Sequence, residues 1–291
     1  MNAKLGAAKN SNESVRFEFG ENWSAFLRLL NESRIKNAED SLKEMLGTDS
    51  LQGKSFLDIG SGSGLFSLAA KNLGANVISF DFDEISVRCT QYLREKFYPG
   101  DDNWQVIGAS VLDSAFMDTL PRVDYVYSWG VLHHTGNLLA AMENACKKVA
   151  PDGFFYVALY RKTIFDGIWK TFKKMYSHSD KTTQVFFQRL WSFKTRLAFF
   201  VKGKSFKKML WKYNEDRGMD FYRDAHDWLG GYPYETISPT DCHSFFEQRG
   251  FILIKQKIYT KGVSWSISGG CNEYLFKKTG SKPGRNSCSK G

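Results

Sequence analysis

The chain has 291 residues, 42% of them hydrophobic, which is enough to bury a core in one elaborated domain or in a core with a cap. Its formal net charge is +9, and its five cysteines form no closely spaced pair, which argues against a zinc site or a disulfide framework and favours a reducing compartment. The sequence has no charged-then-apolar N-terminal signal and no apolar run of the roughly 18 residues that a spanning helix needs, which predicts a cytoplasmic protein.

The first strongly patterned segment is residues 56–64, Phe-Leu-Asp-Ile-Gly-Ser-Gly-Ser-Gly. An apolar run that carries Asp58 is followed by glycine at every second position, and a helix-like pattern begins at Leu65. This order predicts a buried strand, a tight turn and a helix start, because glycine permits the turn and lets a ligand approach the backbone. Amides at the helix start offer free donors to that ligand. Leu65 stands where a dinucleotide fingerprint requires glycine or alanine, so the turn instead suits the amino-acid part of a nucleoside ligand.

The next predicted strand, Asn76–Asp81, ends in an acid 21 residues after Gly60, which is the length of one helix plus one strand. A carboxylate at the end of a second parallel strand can accept hydrogen bonds from both hydroxyls of a ribose. Asp83 suits the N-cap of a helix over Glu84–Phe97. The sequence therefore predicts a nucleoside-binding acid close to the glycine turn.

The rest of the chain supplies five further runs of apolar, β-branched and aromatic residues. These predicted strands are Trp104–Ile107, Val123–Ser128, Phe154–Tyr160, Phe251–Ile254 and Asn272–Phe276. Five strands that alternate with helices, followed by two late strands, predict an α/β fold with a mostly parallel sheet and helices on both faces.

This ordered series resembles the class I S-adenosylmethionine-dependent methyltransferases over roughly residues 50–160 and 235–279. A closer likeness, to bacterial small-molecule methyltransferases of the quinone-biosynthesis type, rests on Ser-Trp-Gly-Val-Leu-His-His at 128–134 and on Trp-Leu-Gly-Gly-Tyr-Pro at 228–233. The resemblance implies a Rossmann-like, seven-stranded, mostly parallel sheet whose antiparallel last strand lies beside the fifth, with an inserted helical cap. It also implies S-adenosyl-L-methionine as the cofactor and gives no reason to expect a metal.

The resemblance implies a set of cofactor-binding residues along the carboxyl edge of the sheet. In the family, the acid that corresponds to Asp81 holds the ribose. The family often has an acidic or amide residue near Ser110 for the adenine amino group; here that side chain is a hydroxyl, and the backbone at Ser110 and Val111 can read the base edge instead. The full expected set is Asp58, Gly60, Ser61, Gly62, Gly64, Leu65, Asp81, Phe82, Ser110, Val111, Ser128 and Trp129.

Two adjacent histidines are the candidate catalytic residues. Methyl transfer from a sulfonium is an in-line displacement, so the protein must align the reactants and exclude water, and a hydroxyl acceptor also needs a base. Histidine suits this role because its pKa lies near neutrality. In an extended segment His133 and His134 cannot both face the pocket, and His134 is favoured; the alternative is that the pair caps a helix or binds backbone. Tyr160, His226 and Asp227 are reserve candidates.

The segment between the fifth strand and the late strands is strongly basic. Residues 161–217 contain 15 Lys or Arg and 4 Asp or Glu, a net +11, so the rest of the chain is slightly acidic. Aromatic and apolar residues recur there at helical spacing, which predicts two or three amphipathic helices. Three interpretations stay open: a cap that packs on the core, a surface that contacts anionic membrane, and a nucleic-acid surface. Nucleic acid ranks below membrane because the aromatics follow an apolar stripe.

The predicted organisation has five parts: an N-terminal helical segment 1–50 that closes over the site, a cofactor-binding core 51–160, a basic helical cap 161–234, a C-terminal part of the core 235–279, and a disordered tail 280–291. The expected function is O-methylation of a small-molecule, sugar-linked or lipid-linked acceptor in the cytoplasm, with peripheral contact at the inner membrane face left open. RNA methylation and a non-catalytic cofactor-binding subunit are the alternatives. RNA is disfavoured because no Asn/Asp-Pro-Pro-aromatic tetrapeptide follows strand four.

Overall fold

The computed structural model describes residues 30–217, 221–258 and 270–280. Within these ranges seven strands form one sheet: β1 (Ser55–Ile59), β2 (Asn76–Asp81), β3 (Trp104–Gly108), β4 (Val123–Trp129), β5 (Val149–Tyr160), β6 (Phe251–Lys257) and β7 (Cys271–Lys278). The first 29 residues of the predicted N-terminal segment lie outside the described residues, as does the predicted tail beyond residue 280.

Ten α-helices of the described residues surround the sheet: α1 (Glu32–Leu46), α2 (Leu65–Asn72), α3 (Glu84–Phe97), α4 (Ser114–Thr119), α5 (Leu138–Lys147), α6 (Asp166–His178), α7 (Lys181–Val201), α8 (Phe206–Arg217), α9 (Phe221–Gly230) and α10 (Pro239–Glu247). A 3₁₀ turn, Leu132–His134, lies between β4 and α5. None of the helices in the described ranges combines the length and the apolar character needed to cross a membrane.

The strand order is β3-β2-β1-β4-β5-β7-β6. Strands β1 to β5 are parallel, and β7 inserts antiparallel between β5 and β6. The chain moves outward from β1 in one direction through β3 and then returns to β4 on the other side, so a crevice opens at the carboxyl ends of β1 and β4. This topology confirms the predicted Rossmann-like sheet with an antiparallel last strand.

The central strands β1 and β5 are largely buried, which explains their nearly continuous apolar sequences. Phe155 and Val157 of β5 belong to the core on one face, and Tyr156 between them belongs to the core on the other face. Helix α1 covers the second face and buries Leu42 and Met45 against it. The core therefore fixes the strand ends that carry the predicted site.

Helices α6 to α9 lie between β5 and the last part of the sheet, in the segment predicted as a basic cap. Residues 228–233, which carry part of the family resemblance, begin inside a helix, because α9 continues to Gly230. The Trp228 ring lies 4.4 Å from Trp169 and 4.8 Å from Trp191, centroid to centroid, and Leu229 is buried. These contacts hold the last turn of α9 against its neighbours.

Candidate active site

The glycine turn between β1 and α2 has the backbone that its sequence predicts. Gly60, Gly62 and Gly64 have φ angles of 77°, 55° and 81°, in the left-handed region that favours glycine. A Cβ atom on Gly60 would lie 2.4 Å from a side-chain carbon of Val131, so packing also excludes a larger residue there. The turn therefore presents bare backbone at the carboxyl end of β1.

Asp81 at the end of β2 is tied directly to this turn. One carboxylate oxygen accepts a hydrogen bond of 2.9 Å from the Gly62 amide, and the other accepts one of 2.9 Å from the Asp83 amide. Burial raises the Asp81 pKa to about 6, and the backbone hydrogen bonds oppose that shift. Asp83 caps α3 through the amides of Ile85 and Ser86, as predicted.

Asp58 lies beneath the turn in a buried polar network. Its carboxylate accepts a hydrogen bond of 2.5 Å from the Ser67 hydroxyl, and that hydroxyl lies 2.7 Å from the Ser79 hydroxyl. The indole N–H of Trp104 donates to Ser79 at 3.0 Å. Burial raises the Asp58 pKa to about 7, and the Ser67 hydrogen bond opposes that shift. Asp58 thus links β1 to α2 and, through Ser79, to β2 and β3.

The predicted residues after strands two and four differ in exposure. Phe82 and Trp129 are exposed, with 58% and 43% of their surfaces accessible, so both can contact a bound nucleoside. Ser128 is buried, and its hydroxyl donates to the Ile59 carbonyl at 3.0 Å. The Ser128 side chain therefore joins the ends of β4 and β1 and leaves its backbone at the crevice.

The other expected cofactor residues lie around the same edge. The Ser61 hydroxyl is 3.0 Å from the Thr90 hydroxyl of α3, and Leu65 is half-buried. The half-buried Ser110 accepts a hydrogen bond of 3.2 Å from the Leu112 amide, and Val111 is buried. The hydroxyls of Ser61 and Ser110 thus already have partners within the protein.

The two histidines lie in the 3₁₀ turn after β4, not in an extended segment, and their environments differ. The His133 ring is buried, and its Nδ1 accepts a hydrogen bond of 3.4 Å from the Tyr160 amide. Burial, together with the nearby His134 and Lys173, lowers the His133 pKa well below its usual value. The neutral form of the His133 ring is therefore favoured, and the ring lies 3.9 Å from that of Tyr160, centre to centre, with 39° between the ring planes.

His134 is half-buried and is held by the segment after α9. Its Nδ1 lies 2.7 Å from the Pro233 carbonyl oxygen. Because a carbonyl only accepts, Nδ1 carries the proton, and the lone pair of the neutral ring is on Nε2. A Cβ atom on Gly231 would lie 2.7 Å from Cε1 of His134, so only glycine leaves room for this ring. Two contacts thus fix the orientation of His134.

Comparison with known proteins gives the family. A model of the methyltransferase domain matches residues 30–215. The chain belongs to the methyltransferase domain family. It is an S-adenosylmethionine-dependent methyltransferase, as the glycine turn and the ordered strands predict.

Sequence relatives agree with this family, and a solved structure shares the fold. The methyltransferase is 27% identical over 177 residues to a ubiquinone biosynthesis O-methyltransferase of Methylobacterium sp. strain 4-46, covering 56% of this chain and 69% of that protein. A ubiquinone biosynthesis O-methyltransferase of Methylobacterium nodulans is 28% identical over 177 residues, which again cover 56% of this chain and 69% of that protein. Magnesium protoporphyrin IX methyltransferase from Synechocystis PCC 6803, crystallised with S-adenosylhomocysteine, shares the fold at a TM-score of 0.53 and 11% identity, over 89% of this chain and 94% of that one.

The cap of the methyltransferase contributes a buried amine that sequence reasoning missed. Lys173 of α6 is fully buried, and its Nζ donates to the Trp228 carbonyl. The same nitrogen lies 4.5 Å from the Trp228 ring centre, 5.2 Å from that of Tyr234 and 5.9 Å from that of Tyr160. Burial lowers the Lys173 pKa to about 7. The sequence offers no signal for this role, because Lys173 is one of many lysines in its segment.

The reserve candidates of the methyltransferase separate in space. Tyr160 contacts both histidine rings: its ring centre lies 3.9 Å from that of His133 and 5.2 Å from that of His134. His226 is instead part of the cap, where its Nδ1 lies 2.6 Å from the Tyr176 hydroxyl and 2.9 Å from the Gln188 amide nitrogen. Among the described residues, no group of three or more His, Cys, Asp or Glu side chains is arranged to hold a metal ion.

Proposed function

We propose that the methyltransferase transfers a methyl group from S-adenosylmethionine to a hydroxyl oxygen of a small, sugar-linked or lipid-linked acceptor, and that His134 is the general base. The observation that carries this proposal is the hydrogen bond of 2.7 Å between His134 Nδ1 and the Pro233 carbonyl. This bond leaves a lone pair on Nε2 of a neutral imidazole, which is the form of histidine that can accept a hydroxyl proton.

The crevice suits the cofactor at three points. The turn of three left-handed glycines offers backbone with no side chains in the way, which suits the amino-acid part of the cofactor. Asp81 can accept from the ribose hydroxyls, and the edge at Ser110 and Val111 can meet the adenine. When bound, the cofactor supplies a methyl group on sulfur, with a neutral thioether as the leaving group. The residues around it have to orient the acceptor oxygen and exclude water.

His134 is a better base than its neighbour for a physical reason. A base must take a proton and carry the resulting charge, and the burial of His133 strongly disfavours its charged form. His134 is half-buried, and its Nδ1–H donates to the Pro233 carbonyl. This hydrogen bond persists when Nε2 takes a proton, so it stabilises the ring both before and after proton transfer. In this proposal His133 is a packing and positioning residue that aligns Tyr160 and the 3₁₀ turn.

The choice of oxygen as the acceptor atom is supported by the relatives, which are named as O-methyltransferases. It is also supported by the need for a base, because a hydroxyl must lose its proton around the time of attack.

Two measurements test this proposal in order. Isothermal titration with S-adenosylhomocysteine measures cofactor binding, and transfer of a radiolabelled methyl group to a panel of phenols, catechols and hydroxylated sugars measures turnover. The His134→Ala variant should bind the cofactor within about twofold of wild type and lose roughly 100-fold or more of kcat. The matched control is His178→Ala, which removes an exposed histidine of the cap.

Other results would redirect the assignment. Unchanged kcat in His134→Ala would remove His134 as the base. Cofactor binding by the wild-type protein without transfer to any member of the panel, or to total RNA, would favour a non-catalytic cofactor-binding subunit.

A further inference from the structure

The outer face of α7 carries a continuous apolar stripe. Its members recur at intervals of four, three, four and three residues, which places them on one side of a helix. Between 50% and 81% of each side chain is exposed when measured against the described residues. We call this set the α7 stripe; it consists of Phe186, Leu190, Phe193, Leu197 and Phe200.

The opposite face of α7 is fixed to the protein, so the stripe cannot turn inward. The Trp191 ring stacks on Trp228 of α9 with 4.8 Å between ring centres. Gln188 donates to the Tyr176 hydroxyl of α6 at 2.9 Å, and Ser192 is buried. Exposure of the stripe is therefore a consequence of how α7 packs, and contiguous exposed apolar surface of this kind marks an interaction site.

The charges beside the stripe have one sign. At 100° per residue, Arg189 and Arg196 lie along one edge of the stripe and Lys194 lies along the other, and all three are exposed. No Asp or Glu occurs from residue 181 to residue 214. Two copies of the chain that met through this face would bring like charges together. An anionic surface would instead meet apolar and basic groups that suit it.

A groove of about 430 Å³ adjoins one edge of the stripe. Arg189 and Arg196 both line it, together with Phe193 and Tyr222. Arg196 donates to the Tyr222 hydroxyl at 2.8 Å, which holds its guanidinium at the groove. Two guanidinium groups beside an aromatic wall match the phosphate and the upper acyl chain of a phospholipid.

We infer that α7 binds the surface of a bilayer that contains anionic phospholipid. The helix lies in the plane of the interface, with the α7 stripe at the boundary between headgroups and acyl chains and the basic edges on the lipid phosphates. This contact needs neither the acceptor nor turnover, so it can be tested separately from the proposed function.

Vesicle co-sedimentation of the full chain tests this inference. The expected result is binding to vesicles of phosphatidylcholine with phosphatidylglycerol and little binding to phosphatidylcholine alone. Binding should weaken at high salt, because salt screens the attraction between the basic side chains and the lipid phosphates. The Arg189→Gln/Lys194→Gln variant should reduce the partition coefficient roughly 30-fold, since each basic residue near an anionic bilayer contributes about a factor of five. Its control is Lys36→Gln/Lys147→Gln, which removes two exposed lysines outside the cap.

A second variant separates apolar insertion from charge. Leu190→Ser/Phe193→Ser/Leu197→Ser replaces exposed side chains and should lower vesicle binding by roughly 100-fold or more. Its control is Leu139→Ser, an exposed apolar position of α5. Circular dichroism and isothermal titration with S-adenosylhomocysteine report whether the triple variant is still folded.

Four outcomes would overturn the inference. The first is no binding to vesicles at any fraction of phosphatidylglycerol. The second is equal vesicle binding by wild type and a folded triple variant. The third is a dimer in light scattering that the triple variant disrupts, with no binding to vesicles, which would assign the stripe to a second copy of the chain. The fourth is tighter binding to RNA than to vesicles, lost in Arg189→Gln/Lys194→Gln.

Discussion

Replacement of Asp58 by Asn should stabilise the protein, and more so at higher pH. Asp58 is only 1% exposed, and the charge on its carboxylate is opposed chiefly by burial. In the folded protein its pKa is about 7, against an ordinary value of 3.8. Because the folded-state pKa is raised, the folded protein retains the proton that the unfolded chain has lost. Stability therefore falls as pH rises from about 4 to about 7.

The size of the effect follows from these two pKa values. Relative to the unfolded chain, the raised pKa of Asp58 costs the folded state about 4 kcal/mol at pH 8 and about 2 kcal/mol at pH 5. Asn has nearly the same shape, can accept from Ser67 and does not titrate. Any change in the free energy of unfolding that the Asn amide itself causes is the same at pH 5 and at pH 8, because the amide does not titrate. The advantage of Asp58→Asn over wild type should therefore grow by roughly 2 to 3 kcal/mol between pH 5 and pH 8.

Urea denaturation without cofactor, followed by tryptophan fluorescence at pH 5 and pH 8, measures this difference. The expected gain corresponds to roughly 5 °C in melting temperature for a chain of this size. The control is Asp118→Asn, which removes a carboxylate from the exposed surface and corrects for loss of a charge. If Asp58→Asn and wild type differ by the same amount at both pH values, Asp58 is not held in the environment described above.

The remaining predictions concern the cofactor, the base and the cap. Asp81→Asn should weaken S-adenosylhomocysteine binding about tenfold or more in calorimetry, because an amide accepts fewer hydrogen bonds than a carboxylate; wild-type affinity in this variant would remove Asp81 from the ribose site. In wild type, the same affinity should fall as the pH drops through about 6, where Asp81 gains a proton. Gly231→Ala should displace the His134 ring and lower kcat while the cofactor affinity stays unchanged, since its Cβ would lie 2.7 Å from that ring; full activity would show that the ring can move without cost. Lys173→Met should be more stable than wild type at pH 6.5 in thermal melts, and this advantage should shrink toward pH 9.5, because the folded-state pKa of Lys173 is lowered to about 7; an advantage that is constant with pH would contradict the burial of a charged amine.

The positions of the glycine turn and of Asp81, which we propose to hold the cofactor, could be predicted from sequence because their geometry is local. Glycine at alternate positions fixes the turn after β1, and a strand that ends in Asp81 must bring that acid to the same edge of a parallel sheet. The N-cap at Asp83 depends only on the amides of the next turn. Each of these features depends on residues within one short segment, so the spacing of residues along the sequence is enough to predict it.

The acceptor side could not be predicted in the same way, because its contacts join distant parts of the chain. The carbonyl that orients His134 belongs to Pro233, 99 residues away. The last turn of α9 is held in place because Trp228 packs against two tryptophans from other helices. The periodicity of α7 is visible in sequence, but which of its faces is buried depends on α6 and α9. Lys173 has no local signature at all.

The segment that follows α9 contacts both histidines. The segment that follows α9 places Gly231 and Pro233 against His134, and the Glu235 amide in the same segment donates to the His133 carbonyl at 3.0 Å. The orientation of the proposed base therefore depends on the segment that also closes the cap. A substitution that shifts this segment should alter kcat as well as KM, because it would move His134 relative to the bound acceptor. With His134 as the proposed base, we expect acceptor specificity and chemical rate to change together, whereas the cofactor half, with Asp81 and the glycine turn, can remain unchanged.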